Sequence, residues 1–134
     1  MKPISINATF NTPTIKLNPE NGQFLIEGRS IPEDPGVFYE PILSWIEEYF
    51  INPAKKTQVE LKLEYVNSGS SKYLLEFFRI MGRNYQEGHD CQIIWYYEEE
   101  DEAIQDLGEH YKNTVSIPFK FEIIEEEEEE EEYK

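Results

Sequence analysis

The sequence predicts a single α/β domain with a mixed β-sheet and helices gathered mainly on one face of it. Three observations predict it. Apolar residues recur at the 3.6-residue helical period over residues 38–50 and again over 74–85. Residues 57–65 alternate, with Thr57, Val59, Leu61, Leu63 and Tyr65 on one face and Gln58, Glu60, Lys62 and Glu64 on the other, as in a strand with one side in the core and one in water. Strand and helix patterns then take turns along the chain, and strand–helix–strand units favour parallel pairing through right-handed crossovers. Because the alternating strands leave one sheet face polar, two layers are expected rather than a doubly wound three-layer fold.

The elements follow in order. A strand at residues 4–10 is an optional first element. The turn cluster Asn18-Pro19-Glu20-Asn21-Gly22 separates residues 14–17 from 23–28 and reads as a β-hairpin. Pro32 and Pro35 break regular structure ahead of the first helix, whose stripe is Phe38, Ile42, Trp45, Ile46, Tyr49 and Phe50. Pro41 is expected within its first turn, where a missing N–H is harmless, and Asn52-Pro53 ends it. The strand at 57–65 leads through Asn67-Ser68-Gly69-Ser70-Ser71 into a second helix with Leu74, Phe77, Phe78, Met81 and Tyr85 inward and Gly88 as its stop. Residues 91–97 form a strand. Acidic residues 98–102 open a third helix, complementing its dipole, with Ile104, Leu107 and Tyr111 inward. A last strand runs through Val115, Ile117, Phe119, Phe121 and Ile123, at a sheet edge or with a bulge because Pro118 has no N–H to give a ladder.

Size and charge narrow the function. The 134 residues hold one ordinary domain, and 9 Tyr, 8 Phe and 2 Trp supply large side chains for its core. The formal charge is −16, and without residues 125–134 it is still −9, so the body itself is acidic. Such a surface repels phosphate backbones and anionic lipid, which argues against nucleic acid and membrane as partners. The one cysteine, Cys91, permits no intrachain disulfide and no cysteine-rich zinc site, consistent with a cytoplasmic protein. Residues 1–124 are the domain, and residues 125–134, with eight consecutive glutamates, are expected to be a disordered acidic tail.

Chemistry concentrates where the 57–65 strand meets the second helix. Asn67, Ser68, Gly69, Ser70, Ser71 and Lys72 bring three hydroxyls to a helix N-terminus, whose free N–H groups and dipole favour an anion. A phosphate on one of them would add about −1.5 to −2 charges to a surface able to dock a partner. The plainer alternative is that Ser70 or Ser71 only caps the helix. Catalytic readings find less support. His89, Asp90, Cys91 and His110 form no recognised constellation, and neighbours along a strand point to opposite faces. No P-loop, G-x-S-x-G elbow, H-E-x-x-H pair or EF-hand loop occurs, so no metal or cofactor is expected.

Three stretches also resemble, in order, the signatures of the SiaC-like regulatory phosphoproteins. They are Gly28-Arg29-Ser30-Ile31-Pro32-Glu33-Asp34-Pro35 with Phe38-Tyr39-Glu40-Pro41-Ile42-Leu43-Ser44-Trp45; Leu63-Glu64-Tyr65-Val66-Asn67-Ser68-Gly69-Ser70-Ser71-Lys72; and Gly108-Glu109-His110-Tyr111 through Ile117-Pro118-Phe119. The resemblance implies a fold related to anti-sigma-factor antagonists and a switch by phosphorylation of the hydroxyl after the signature Asn, here Ser68, with Ser70 and Ser71 as alternatives. It further implies three partners: a diguanylate cyclase that the unphosphorylated protein binds and activates, a partner-switching serine/threonine kinase, and a metal-dependent serine/threonine phosphatase. The family commonly has Thr in place of Ser68 and Ser in place of Gly69. Arg29, Phe38 and Tyr39 become candidates for the docking surface, the two aromatics either as exposed anchors or, equally, as buried residues of the helix start. A small hydrolase using Ser68 or Cys91, and an acidic scaffold for a basic protein, are the competing readings.

Overall fold

A computed structural model describes residues 1–124. Its elements are β1 (Ile4–Ile6), β2 (Thr14–Leu17), β3 (Gln23–Ser30), α1 (Pro35–Tyr49), β4 (Lys56–Val66), α2 (Ser68–Gln86), β5 (Asp90–Glu98), α3 (Glu102–Thr114) and β6 (Phe119–Ile124). The six strands form one sheet in the order β1-β2-β3-β4-β5-β6. The first three are antiparallel neighbours, and β3 to β6 run parallel. Each crossover advances to the next strand in the same direction, so right-handed crossovers carry α1, α2 and α3 to one face. The expected two-layer arrangement of a mixed sheet is what the chain adopts.

The core lies between that face and the helices. Phe24 and Ile26 of β3, Val59, Leu61 and Leu63 of β4, and Cys91, Ile93 and Trp95 of β5 are buried there. They meet Ile42, Ile46 and Tyr49 of α1, Leu74, Phe77, Phe78 and Met81 of α2, and Ile104 and Tyr111 of α3. Buried hydroxyls are paired rather than stranded: Tyr49 accepts from the Ala54 N–H at 3.1 Å, and its OH lies 2.7 Å from the Thr57 hydroxyl. Among the described residues the opposite face carries no helix, and it is mostly polar. Tyr96 donates to Glu60 at 3.4 Å and carries the Lys62 ammonium 4.8 Å above its ring.

Several elements depart from the sequence expectation for identifiable reasons. Pro41 is inside α1, not in its first turn, because Pro35 holds the first helical positions behind the Asp34 cap. Pro41 is exposed, and the carbonyl it leaves unpaired belongs to exposed Val37, where water can serve it. Tyr85 is not in the core but 37% exposed, at the last turn of α2 where the helix outruns the sheet. Tyr65 also turns outward, since the β3–β4 register shifts between Gly28 and Arg29 and pairs Gly28 with Leu63 but Arg29 with Tyr65. Asp101 caps α3, leaving Glu98 in β5 and only Glu102 in the first helical turn. The first strand stops at Ile6, and β6 starts after Pro118, so Val115 and Ile117 belong to the link from α3. Pro118 does precede an edge strand, and Gly88, at φ 107°, does stop α2. The acidic tail lies outside the described residues.

Gly108 decides how closely α3 approaches the sheet. A Cβ there would lie 2.5 Å from Trp95 Nε1, and that indole already donates to the Ile104 carbonyl at 3.0 Å. Gly→Ala in a helix normally stabilises by up to ~1 kcal/mol, whereas overpacking a core costs about 1–3 kcal/mol. Steric conflict with a rigid, hydrogen-bonded ring wins, so Gly108→Ala is expected to lower stability by about 1–2 kcal/mol. Urea unfolding followed by tryptophan fluorescence checks it; an unchanged or raised midpoint would contradict the packing described.

Candidate functional site

The three serines of the β4–α2 junction have different surroundings. Asn67 is the N-cap of α2: its side-chain oxygen accepts from the Ser70 N–H at 2.8 Å, its carbonyl accepts from the Ser71 N–H at 3.0 Å, and its amide donates to the Pro32 carbonyl at 3.2 Å. With the Ser70 and Ser71 N–H groups so engaged, those of Ser68 and Gly69 are the helix-start donors left for an outside acceptor. Ser68 is the first residue of the helix and is exposed. Lys72 is exposed one turn further on, at the i+4 position that shares its face.

Ser70 is unavailable. It is fully buried and accepts from the Ser30 hydroxyl at 2.9 Å. Because Ser30 spends its one proton there, the Tyr39 phenol, 2.5 Å away, donates to Ser30. Ser71 is half-buried and held between helices. Tyr111 donates to the Ser71 carbonyl at 3.0 Å, so the Ser71 hydroxyl, 2.8 Å from the same phenol, donates to it. Capping, the plainer reading of these serines, is done by Asn67, while Ser70 and Ser71 tie α2 to β3, α1 and α3.

The first signature supplies the other side of the junction. The Ser30 carbonyl accepts from the Asn67 N–H at 3.0 Å, joining the ends of β3 and β4. Pro35 then packs on Gly69, where a Cβ would stand 2.8 Å from Pro35 Cγ, so the start of α1 closes against the start of α2. Tyr39 is not an exposed anchor; it is 1% exposed, stacked on Tyr73 and bonded to Ser30. Its place was readable as the i−3 neighbour of Ile42 on the helical stripe. Phe38 is half-buried, its ring against Tyr39. Arg29 is half-buried between the rings of Phe10 and Tyr65, at 4.8 and 5.4 Å, with Glu64 at 3.7 Å. Phe10 and Tyr65, at 78% and 59% exposed, complete this outward aromatic–guanidinium cluster; Phe10 carried no signal in the sequence, and the alternation assigned Tyr65 to the core.

Among the described residues no three His, Cys, Asp or Glu side chains come together as a metal site. Cys91 is fully buried, and burial, with Asp90 beside it, pushes its thiol up to about 12. A thiol so placed is protonated and out of a substrate's reach. Among the described residues no helix is long and apolar enough to cross a membrane.

The family model of the SiaC family regulatory phosphoproteins matches residues 6–125. The chain belongs to the SiaC family. An uncharacterized protein of Pseudomonas aeruginosa strain UCBPP-PA14 is 24% identical over 126 residues, covering 94% of this chain and 100% of that one. The crystal structure of apo-SiaC from Pseudomonas aeruginosa matches with a TM-score of 0.86 at 24% identity, over 91% of this chain and 99% of that one. A chain in the structure of the diguanylate cyclase SiaD with its activator SiaC, from the same organism, matches with a TM-score of 0.85 at 23% identity, over 90% and 99%. The SiaC match spans all the residues of the junction, from Arg29 to Lys72.

Two buried phenols make the junction of this SiaC-family chain sensitive to alkali. Burial pushes Tyr39 up to about 12 against the opposing pull of the Ser30 and Ser70 hydroxyls, and pushes Tyr111 up to about 12 against that of Ser71. A raised folded-state value means that the stabilisation is complete below pH ~10, the ordinary value, and is lost as pH rises through 10 to 12. By pH 11 each phenol is expected to remove roughly 1 kcal/mol. Urea midpoints at pH 8 and pH 11 test this. Tyr39→Phe should be less stable at pH 8 yet lose less between the two; a loss equal to wild type would show that Tyr39 does not titrate as described.

Proposed function

We propose that this chain is a phosphorylation-switched regulator without catalytic activity of its own, whose unphosphorylated form binds and activates a diguanylate cyclase. The observation that carries the proposal is the exposure of Ser68 at the first position of α2, while Ser70 is buried and Ser71 is half-buried in a bond to Tyr111. The free Ser68 and Gly69 amides, the helix dipole and Lys72 all favour an anion there, so a phosphate is accommodated by the fold. For a partner the effect is opposite. Seating against a dianion requires stripping its water, which costs several kcal/mol unless basic residues pair with it. A serine/threonine kinase adds the phosphate and a metal-dependent phosphatase removes it. The resemblance of the signatures, family membership and the fold shared with the activator of SiaD support this reading. The hydrolase reading lacks a nucleophile at Cys91, and the scaffold reading rests on residues outside those described.

The test is titration calorimetry with the cyclase. Wild type and Ser68→Ala are expected to bind alike, and stoichiometrically phosphorylated protein at least 100-fold more weakly, with cyclase activation falling in parallel. Equal affinity in all three would reject the switch. Mass spectrometry after incubation with the kinase should find one phosphate on wild type, at Ser68, and none on Ser68→Ala; a phosphate retained by the variant would move the site.

A further inference from the structure

We infer that β6 is a self-pairing edge, at which two copies of this chain join antiparallel about Phe121. The sheet ends differently on its two sides: β1 is three residues long, whereas β6 pairs with β5 without interruption over Phe119 to Ile124 and, among the described residues, has no strand beyond it. An open strand presents a row of N–H and C=O groups able to pair with another chain. The segment Phe119-Lys120-Phe121-Glu122-Ile123-Ile124 contains no Pro or Gly, and four of its six residues are aromatic or β-branched.

Hydrogen-bond parity fixes which groups point outward. The Ile93 N–H donates to the Pro118 carbonyl at 2.9 Å, and Ile93 lies opposite Phe119. In a parallel ladder this means that the even-numbered residues of β6 bond back to β5, and Phe119, Phe121 and Ile123 turn their backbone groups away from the sheet. An antiparallel pair with its two-fold axis at Phe121 places Phe121 opposite Phe121 and Phe119 opposite Ile123. Every one of these is a hydrogen-bonded pair, so the outward groups of both copies are satisfied together.

The side chains fit the same register and no neighbouring one. Lys120 falls opposite Glu122 of the second copy in a non-hydrogen-bonded pair, the geometry that brings side chains closest. Within one chain Lys120 and Glu122 already lie 3.3 Å apart on the open sheet face, both well exposed, so pairing makes a four-charge array of alternating sign. On the helix face Ile123, 49% exposed, meets Phe119 of the other copy, and the two Phe121 rings meet each other. Moving the axis by one residue, to Lys120 or to Glu122, keeps the hydrogen bonds but sets Lys120 against Lys120 or Glu122 against Glu122, and like charges directly opposite repel. The contact is one strand wide, which places it with small, reversible interfaces.

The proposal is independent of the switch at Ser68, and full-length protein tests it by sedimentation across a hundredfold concentration series. Wild type is expected to move from monomer toward dimer. Lys120→Glu and Glu122→Lys should each weaken self-association at least tenfold, the doubly exchanged Lys120→Glu/Glu122→Lys chain should recover it, and an equimolar mixture of the two single variants should form the mixed dimer in preference to either homodimer. Amide exchange gives the register: protection of Phe119, Phe121 and Ile123 should rise with protein concentration while that of Lys120 and Glu122 stays constant. A mass that remains monomeric throughout, or a dimer indifferent to the charge exchange, would overturn the proposal.

Discussion

One fully buried hydroxyl, that of Ser30, holds the working end of the molecule together. It donates to Ser70 and accepts from Tyr39, and the Ser30 carbonyl takes the Asn67 N–H, so a single residue at the end of β3 fastens α1, α2 and the exit of β4. In an environment without water each of these groups would cost free energy if left unpaired, and each therefore specifies where its neighbour must be. The outcome is a rigid turn in which Asn67 caps, Gly69 admits Pro35, and Ser68 is the hydroxyl left facing out.

The fold's layering was legible because it rests on period. The alternation over Thr57, Val59, Leu61 and Leu63 and the stripes through Ile42–Ile46–Tyr49 and Leu74–Phe77–Phe78–Met81 are direct imprints of a sheet and helices with one wet side each. What failed was what period does not encode. Tyr65 follows the alternation yet faces out because of a register shift set by a different strand, and Pro41 sits in a helix whose start was fixed six residues earlier by Asp34 and Pro35. Helix caps depend on one side chain's geometry, which is why α3 began at Glu102 rather than at the first glutamate of the run.

At the candidate site, the strand-to-helix junction was legible but the surroundings of its hydroxyls were not. Ser68, Ser70 and Ser71 are chemically equal in sequence, and only partners far along the chain separate them: Ser30, forty residues before Ser70, and Tyr111, forty residues after Ser71. The same long-range contact explains Tyr39, which looked like a docking aromatic beside Phe38 and is instead a buried strut. Conversely Phe10 belongs to no pattern and Tyr65 to the wrong one, and only the approach of β3 to β4 gathers them around Arg29. Proximity in space, not residue type, distinguishes anchor from framework.

The strand order, which never doubles back, governs how the domain can be made. Each strand from β2 onward lies beside the one synthesised just before it, so every new segment finds its docking edge already present as it leaves the ribosome. No early strand must wait, exposed, for a partner encoded near the C-terminus, and sheet growth involves only short-range closures of the chain. Assembly can thus proceed vectorially from β1 to β6, like laying planks side by side.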